Sequence, residues 1–336
     1  MRAVRFHGPG EPLTVDDVES PSPGPGQVLV DVVAAGVCGT ELHFLDGLLA
    51  PARTPITLGH EVAGTVSAVG EGVTEPAVGD RVAVHYFHSC GSCDRCTAGD
   101  DHLCDAPLGF LAFVTDGGFA EQLVVPARSA VPVPDGLDLV EAAPLCCGGA
   151  TAVHAARVAG TGEGDVAVVY GTGGVGLALV QVLQLAGARV LAVGRGEQRL
   201  ALARELGAET VNASSEDVAV RVRELTGGRG ADVVFELVGT ADTGAIALAC
   251  LGKRGALVYI GYSFDKVPLF PLSLVVSEQR ILTSVGNRRS ELVEALELAA
   301  SGRLRTVVTT APLADAAAVL EDLRAGRVVG RAVLVP

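Results

Sequence analysis

VAVVYGTGGVGLALVQ, residues 166–181, divides into an apolar β-branched run, a glycine-rich turn and an apolar helix-forming run. Gly171, Gly173 and Gly176 fit G-x-G-x-x-G in the setting that gives the motif meaning, directly after a strand and at the start of a helix. The first glycine permits a tight turn, the second lets backbone approach a pyrophosphate, and the third allows close helix–strand packing. The helix start at Gly174 and Val175 supplies N–H donors and the positive end of the helix dipole. The stretch therefore predicts a dinucleotide-binding βαβ unit. Roughly 20 residues on, such a unit usually places an acid that holds the adenosine ribose hydroxyls. This chain has Gly194 there, followed by Arg195. With no carboxylate to repel a 2′-phosphate and a guanidinium nearby, NADP(H) is expected over NAD(H). The competing reading makes Arg195 a solvated turn residue, with NAD(H) bound.

Outward from this unit, ARVLAVG, EQRLALARELGA, ADVVFELVG and ALVYIGY continue the alternation of strands and helices. Such alternation predicts α/β architecture, a doubly wound parallel sheet with helices on both faces. The helix ELVEALELAASG and a last helix–strand pair, VLEDLRAG and RAVLVP, close the chain. VPLFPLSLVV, residues 267–276, reads as an interface strand or as core. Towards the N-terminus the pattern changes. QVLVDVVAAG, GTVSAVG, GDRVAVHYF and GFAEQLVVP are short strand-like runs punctuated by Gly, Pro and Asp, which predict a β-rich domain. A length of 336 residues favours two domains.

A formal charge of −14 argues against nucleic acid or anionic membrane as a partner. Val166 to Ala188 carries no charge, but its glycines and its β-branched opening suit a buried strand, turn and helix better than a bilayer span. The opening MRAVRFHGPG lacks the apolar core of a secretory signal. Eight cysteines in such a chain suggest metal ligands or reactive thiols rather than a disulfide scaffold, so a cytoplasmic location is expected.

Four of those cysteines lie in CGSCDRCTAGDDHLC, residues 90–104, with gaps of two, two and seven residues. A bacterial ferredoxin run would close with a gap of about three and then proline. Here Asp105 follows Cys104. Four thiolates leave no open position, so Cys90, Cys93, Cys96 and Cys104 are read as a closed, structural zinc site. GVCGTELH, residues 36–43, and GHE, residues 59–61, offer Cys38 and His60 as a second pair of ligands. A third thiolate can come from Cys146 or Cys147 in PLCCGG. Three protein ligands and one open position make the arrangement of catalytic zinc.

GVCGTELH, LGHEVAGTV, the four-cysteine loop, APLCCGGATA, VVYGTGGVGLALVQ and the closing GRAVL occur in that order. Together they resemble the zinc-dependent medium-chain alcohol dehydrogenases over essentially the whole chain. The resemblance implies a GroES-like β-rich catalytic domain, residues 1–148 completed by 287–336, and a Rossmann domain, residues 149–286. It implies Cys38, His60 and Cys147 as catalytic zinc ligands, Cys147 being the cysteine that precedes Gly148-Gly149. Glu61 resembles the carboxylate that can approach the metal, and Glu41 the acid that orients His60. Thr40 matches the hydroxyl that bonds the substrate oxygen, and His43 matches the end of the proton relay. Arg331 resembles a residue that reaches the cofactor pyrophosphate, and Gly39 departs from members with a basic residue there. Tyr86, Phe87, Phe110 and Tyr262 fall in stretches that the resemblance places near substrate.

The implied activity is reversible hydride transfer between an alcohol and a nicotinamide cofactor, giving an aldehyde or ketone. Two zinc ions per chain and a homodimer or homotetramer are implied with it. A polyol, threonine or hydroxyacyl-thioester dehydrogenase of the same zinc class is the nearest alternative. A zinc-free quinone or enoyl reductase generally lacks both the cysteine loop and the cysteine–histidine pair. Outside enzymes, a non-catalytic dinucleotide-sensing protein would be expected to have lost Thr40, His43 or a zinc ligand, and none is missing.

Overall fold

Val166–Tyr170 is buried at every position because it has a parallel partner on each edge, Arg189–Gly194 on one side and Ala231–Glu236 on the other. These three strands are the centre of a six-stranded, all-parallel sheet in the computed structural model, which describes residues 1–336. The full order is Glu209–Asn212, Arg189–Gly194, Val166–Tyr170, Ala231–Glu236, Leu251–Tyr259 and Arg280–Thr283. Val168, Leu191, Val193, Val211, Val234 and Leu257 supply the core beside this sheet. The arrangement is the doubly wound Rossmann order: after two crossovers to one side of Val166–Tyr170, the chain returns to its other side with Ala231–Glu236. It belongs to a unit spanning Thr151–Gly286.

The glycine turn does what its spacing predicts. Gly171 has φ of +123°, a conformation that side chains resist. A Cβ on Gly176 would overlap the carbonyl oxygen of Gly171, so the helix Gly174–Leu185 can start this close to the strand only with glycine there. A Cβ on Gly173 would meet nothing within 4 Å, which leaves space over the helix start. The uncharged stretch Val166 to Ala188 is thus a strand, a turn and a helix. No single helix of the chain is long and apolar enough to cross a membrane.

One expectation is corrected. Residues 267–276 do not form a strand: Pro271–Ser277 is a short helix. Proline in the first turn lacks only an N–H that would have no intrahelical partner anyway, and its fixed φ suits a helix start. Glu278, in the left-handed region with φ of +49°, ends the helix.

Met1–Ala150 and Asn287–Pro336 make the second unit. Its main sheet runs Ala130–Pro132, Arg81–Val84, Glu61–Val69, Gln27–Val37, Arg331–Val335 and Val308–Pro312, and Gln122–Pro126 also pairs with Gln27–Val37. The last strand of the chain, Arg331–Val335, lies antiparallel to Gln27–Val37, with Ala332 opposite Val37. Along Gln27–Val37 burial first alternates and then becomes continuous from Ala34 to Val37. The switch from alternating valines to AAGV matches that change, because a strand covered on both faces near its end needs small side chains. Val28, Val30, Phe44, Ile56, Leu58, Val62, Phe119 and Leu334 fill the core.

Candidate metal centres and catalytic site

Glu61 begins a strand, is fully buried, and lies where its carboxylate would overlap a Cβ on Gly36 of the paired strand. Its charge is met by Arg331, which is also buried: Nη2 of Arg331 pairs with Glu61 Oε2 and donates to the Val37 carbonyl at 3.2 Å. The sequence suggested a pyrophosphate contact for Arg331 and gave no sign of this pairing. Burial raises the Glu61 carboxyl to about 7 even against the pull of Arg331.

The residue before Glu61 is His60, buried, and its Nδ1 lies 2.8 Å from Glu41 Oε1. The other oxygen of Glu41 accepts from the Cys38 N–H at 2.8 Å and so caps the helix Gly39–Leu45. One carboxylate therefore fixes both the entry of Cys38 into the helix and the tautomer of His60, leaving Nε2 as the free ligand atom. Ligand atoms of Cys38, His60, Glu61 and Cys147 all lie within 4.8 Å of one another. Cys146 is turned away: its thiol donates to the Val62 carbonyl at 3.3 Å, and burial pushes its pKa up to about 12. The structure thus brings together Cys147 and not Cys146.

The electrostatics suit a cation. A hydrogen bond from Cys147 lowers the Cys38 thiol well below its usual value, against burial and helped by His60. The same bond and burial raise Cys147. Burial opposes protonation of His60, but Glu41 and Cys38 outweigh it and raise its pKa well above the ordinary value. Negative ligands and a charge-starved interior are what a bound divalent ion would satisfy.

Thr40 and His43 sit one helical turn apart on Gly39–Leu45, and Thr40 Oγ1 lies 3.7 Å from Cys38 Sγ. Burial lowers the pKa of His43, against the pull of Cys38, Asp46 and Glu41, and so favours its neutral imidazole. An aromatic wall adjoins His60. The Tyr86 ring stands edge-on to the imidazole at 5.4 Å and stacks on Phe110 at 5.6 Å. Phe87 and Phe113 stack on Phe110 in turn, at 4.8 and 3.9 Å. Tyr262, grouped with these residues by sequence, lies in the other unit and is half-exposed.

In the cysteine loop, Cys90 Sγ and Cys96 Sγ are 3.9 Å apart, and Cys93 Sγ and Cys104 Sγ are 3.8 Å apart. A tetrahedral zinc with Zn–S bonds of about 2.3 Å places every pair of sulfurs about 3.8 Å apart. All four sulfurs lie within 4.8 Å of one another. Backbone N–H groups of Ser92 and Cys93 point at Cys90 Sγ, each at 3.4 Å, and lower its pKa to about 6. Those donors stabilise a thiolate. The donor set fits a closed zinc site.

At the far end of the Rossmann motif, Gly194 ends its strand with Thr172 against it: a Cβ there would sit 2.5 Å from Thr172 Oγ1. Thr172 is the second residue of the glycine turn and drew no notice in the sequence. Arg195 follows, and Arg199 one turn into the next helix has its pKa lowered by burial and by Arg195. The structure shows two guanidiniums here and no carboxylate at position 194.

The chain is similar to known proteins along its whole length. A model described as the alcohol dehydrogenase GroES-like domain matches residues 24–135, and one described as zinc-binding dehydrogenase matches 174–301. An alcohol dehydrogenase of Geobacillus stearothermophilus is 36% identical over 99% of both chains. An NAD-dependent alcohol dehydrogenase of Sulfurisphaera tokodaii is 34% identical over the whole of both. The crystal structure of the alcohol dehydrogenase from Aeropyrum pernix superposes with a TM-score of 0.95 at 36% identity, covering 100% of each chain.

The cysteine loop is open to a direct test. Cys93→Ser should lower the zinc content by one ion per chain and reduce the thermal midpoint, without changing which substrates react. Elemental analysis beside calorimetry reads both, and an unchanged zinc count would remove the loop as a metal site.

Proposed function

The chain belongs to the zinc-dependent medium-chain alcohol dehydrogenase family, and on that premise we propose that it reversibly oxidises an alcohol to an aldehyde or ketone with a nicotinamide cofactor. The observation that carries this reading is the buried donor set of Cys38, His60 and Cys147, with Glu41 fixing the imidazole from behind. When bound there, zinc supplies Lewis acidity towards the alcohol oxygen, and the nicotinamide supplies the hydride acceptor.

The chain's own residues do the rest. Cys38 and Cys147 act as thiolate ligands, and His60 ligates through Nε2. Glu61, tethered by Arg331 but able to reach the same centre, stands by during ligand exchange. Thr40 accepts the hydrogen bond of the substrate hydroxyl. His43, kept neutral by burial, takes the proton that leaves. Tyr86 and Phe110 give the apolar part of the alcohol a surface. In the Rossmann unit, Gly171 to Gly176 receive the pyrophosphate, with Gly174 and Val175 at the helix start.

For the cofactor we favour NADP(H) over NAD(H). Gly194 offers no acid to the ribose, Thr172 lies against it, and Arg195 and Arg199 would supply two guanidiniums to a 2′-phosphate. The Sulfurisphaera relative, named NAD-dependent, makes NAD(H) the competing outcome. The eight cysteines are all free, which suits the reducing cytoplasm. A homodimer or homotetramer accounts for the exposed Phe264, Phe270, Leu272, Val275 and Val276, which lie close in sequence to the sheet's edge strand Arg280–Thr283.

Three outcomes test this reading. Cys38→Ser or His60→Ala should abolish turnover, followed by nicotinamide absorbance, while calorimetric binding of dinucleotide persists; wild-type turnover in either variant refutes the ligand assignment. With NADP+ the wild type should show the higher kcat/KM, and Arg195→Ala should raise KM for NADP+ roughly tenfold, the scale of one charge-assisted hydrogen bond. A clear NAD+ preference would reverse the cofactor assignment. Sedimentation should give two or four chains per particle, and a monomer would leave the apolar surface to another explanation.

A further inference from the structure

Asn287 is completely buried and begins the segment that returns the chain to the catalytic unit. Its side-chain Nδ2 donates to the Tyr86 hydroxyl at 3.2 Å and to the Cys146 carbonyl at 3.1 Å. Its own carbonyl lies 3.0 Å from His85 Nε2. The next two residues hold the cysteine loop: Arg288 pairs with Asp100 at 2.6 Å, and the Arg289 N–H donates to Asp101 Oδ1 at 3.2 Å. Three consecutive residues thereby bond the aromatic wall, the turn that carries Cys147, and the four-cysteine loop.

The geometry around the amide is directional. A carbonyl can only accept, so Cys146 requires the NH2 group on its side, and the Tyr86 oxygen then accepts the second N–H. Tyr86 is the ring that stands edge-on to His60, and the Cys146 carbonyl belongs to the peptide bond leading into Cys147. One buried amide therefore braces a neighbour of each of two candidate ligands, His60 and Cys147. Phenylalanine at 86 would present the same apolar face but could not be anchored.

We propose that Asn287 is a positioning residue that fixes the Tyr86 ring and the Cys146–Cys147 peptide, so that the alcohol's apolar group is held in one orientation. The inference rests on the alcohol dehydrogenase reading above and names a determinant of its substrate grip. It acts through Tyr86, so the effect should scale with the apolar bulk of the alcohol. Ethanol makes little use of a rigid wall, whereas benzyl alcohol depends on one.

The chain has four tyrosines and no tryptophan, so 3-fluorotyrosine labelling of the zinc-loaded protein gives four fluorine resonances, with Tyr86 assigned by Tyr86→Phe. Asn287→Ala should shift and broaden the Tyr86 resonance in the absence of substrate. It should also raise KM for benzyl alcohol roughly tenfold, the scale of one buried hydrogen bond, with little change for ethanol, in kcat or in zinc content. In the cycle with Tyr86→Phe, the second change should add nothing to Asn287→Ala, because the bond that anchors the ring is already lost. An unmoved Tyr86 resonance, equal KM changes for both alcohols, or independent addition in the cycle would overturn the proposal. If Asn287→Ala does not fold, Asn287→Leu keeps roughly the size, removes both donor and acceptor, and is read in the same way. A wild type that oxidises no alcohol defeats the functional reading alone, since the resonance still decides whether Asn287 positions Tyr86.

Discussion

A fully buried carboxylate has to be compensated, and Glu61 obliges distant parts of the catalytic unit to meet around it. Its partner Arg331 comes from the last strand of the chain, which must insert beside Gln27–Val37 to deliver the guanidinium. That strand in turn must offer Gly36, because any side chain there would collide with the carboxylate. Removing one member of such a pair leaves an uncompensated buried charge, typically a loss of about 3–5 kcal/mol, whereas replacing both can be neutral. The pair is thus poor evidence of net stabilisation and good evidence of specification. It ties the start and end of the chain into one unit and brings a titratable carboxylate within reach of the Cys38, His60 and Cys147 cluster.

The two cysteine clusters show how similar ligands are put to different work by their surroundings. In the loop of residues 90–104 the sulfurs are partly exposed and bonded by local backbone N–H groups, with the donor set complete. Such a site can order a short segment that has no core of its own. Around Cys38 the candidate ligands come from three separate elements, lie against the hydrophobic core and include one nitrogen. Precision there depends on second contacts, Glu41 on His60 and Asn287 behind Tyr86, rather than on chain proximity. The segment Asn287–Arg289 bonds to both regions, so order in the loop and order at the aromatic wall share a support.

Legibility in the sequence followed the range of the interactions. The glycine turn, the strand–helix alternation and the cysteine loop are local, and each declares itself within a few residues. The cluster of Cys38, His60 and Cys147 is non-local, and spacing alone left Cys146 and Cys147 equivalent. Only the direction of each thiol separates them, one towards the Val62 carbonyl and one towards Cys38. The Arg331–Glu61 pair spans most of the chain and has no local signature. Asn287 resembles an ordinary residue ahead of a helix, and nothing around it suggests an amide with two buried acceptors. Pro271–Ser277 was misread for a different reason: a run of apolar residues has no period that separates strand from helix, and the deciding residue is the proline.

Thr172 and Gly194 illustrate how two unremarkable letters become one constraint when strands are paired. Gly194 stands one residue past the last pair with Val166–Tyr170, Val193 opposite Tyr170, and Thr172 follows that strand by two residues. The threonine Oγ1 occupies the position that a Cβ at 194 would approach to 2.5 Å. An acid at 194 would therefore need Thr172 to turn its side chain away or to be replaced by a smaller residue. The glycine at 194 is thus matched in the glycine turn, where Thr172 uses space that a side chain at 194 would need. A glycine-rich turn and the cofactor's adenosine end are usually treated as separate determinants. In this chain packing makes them one.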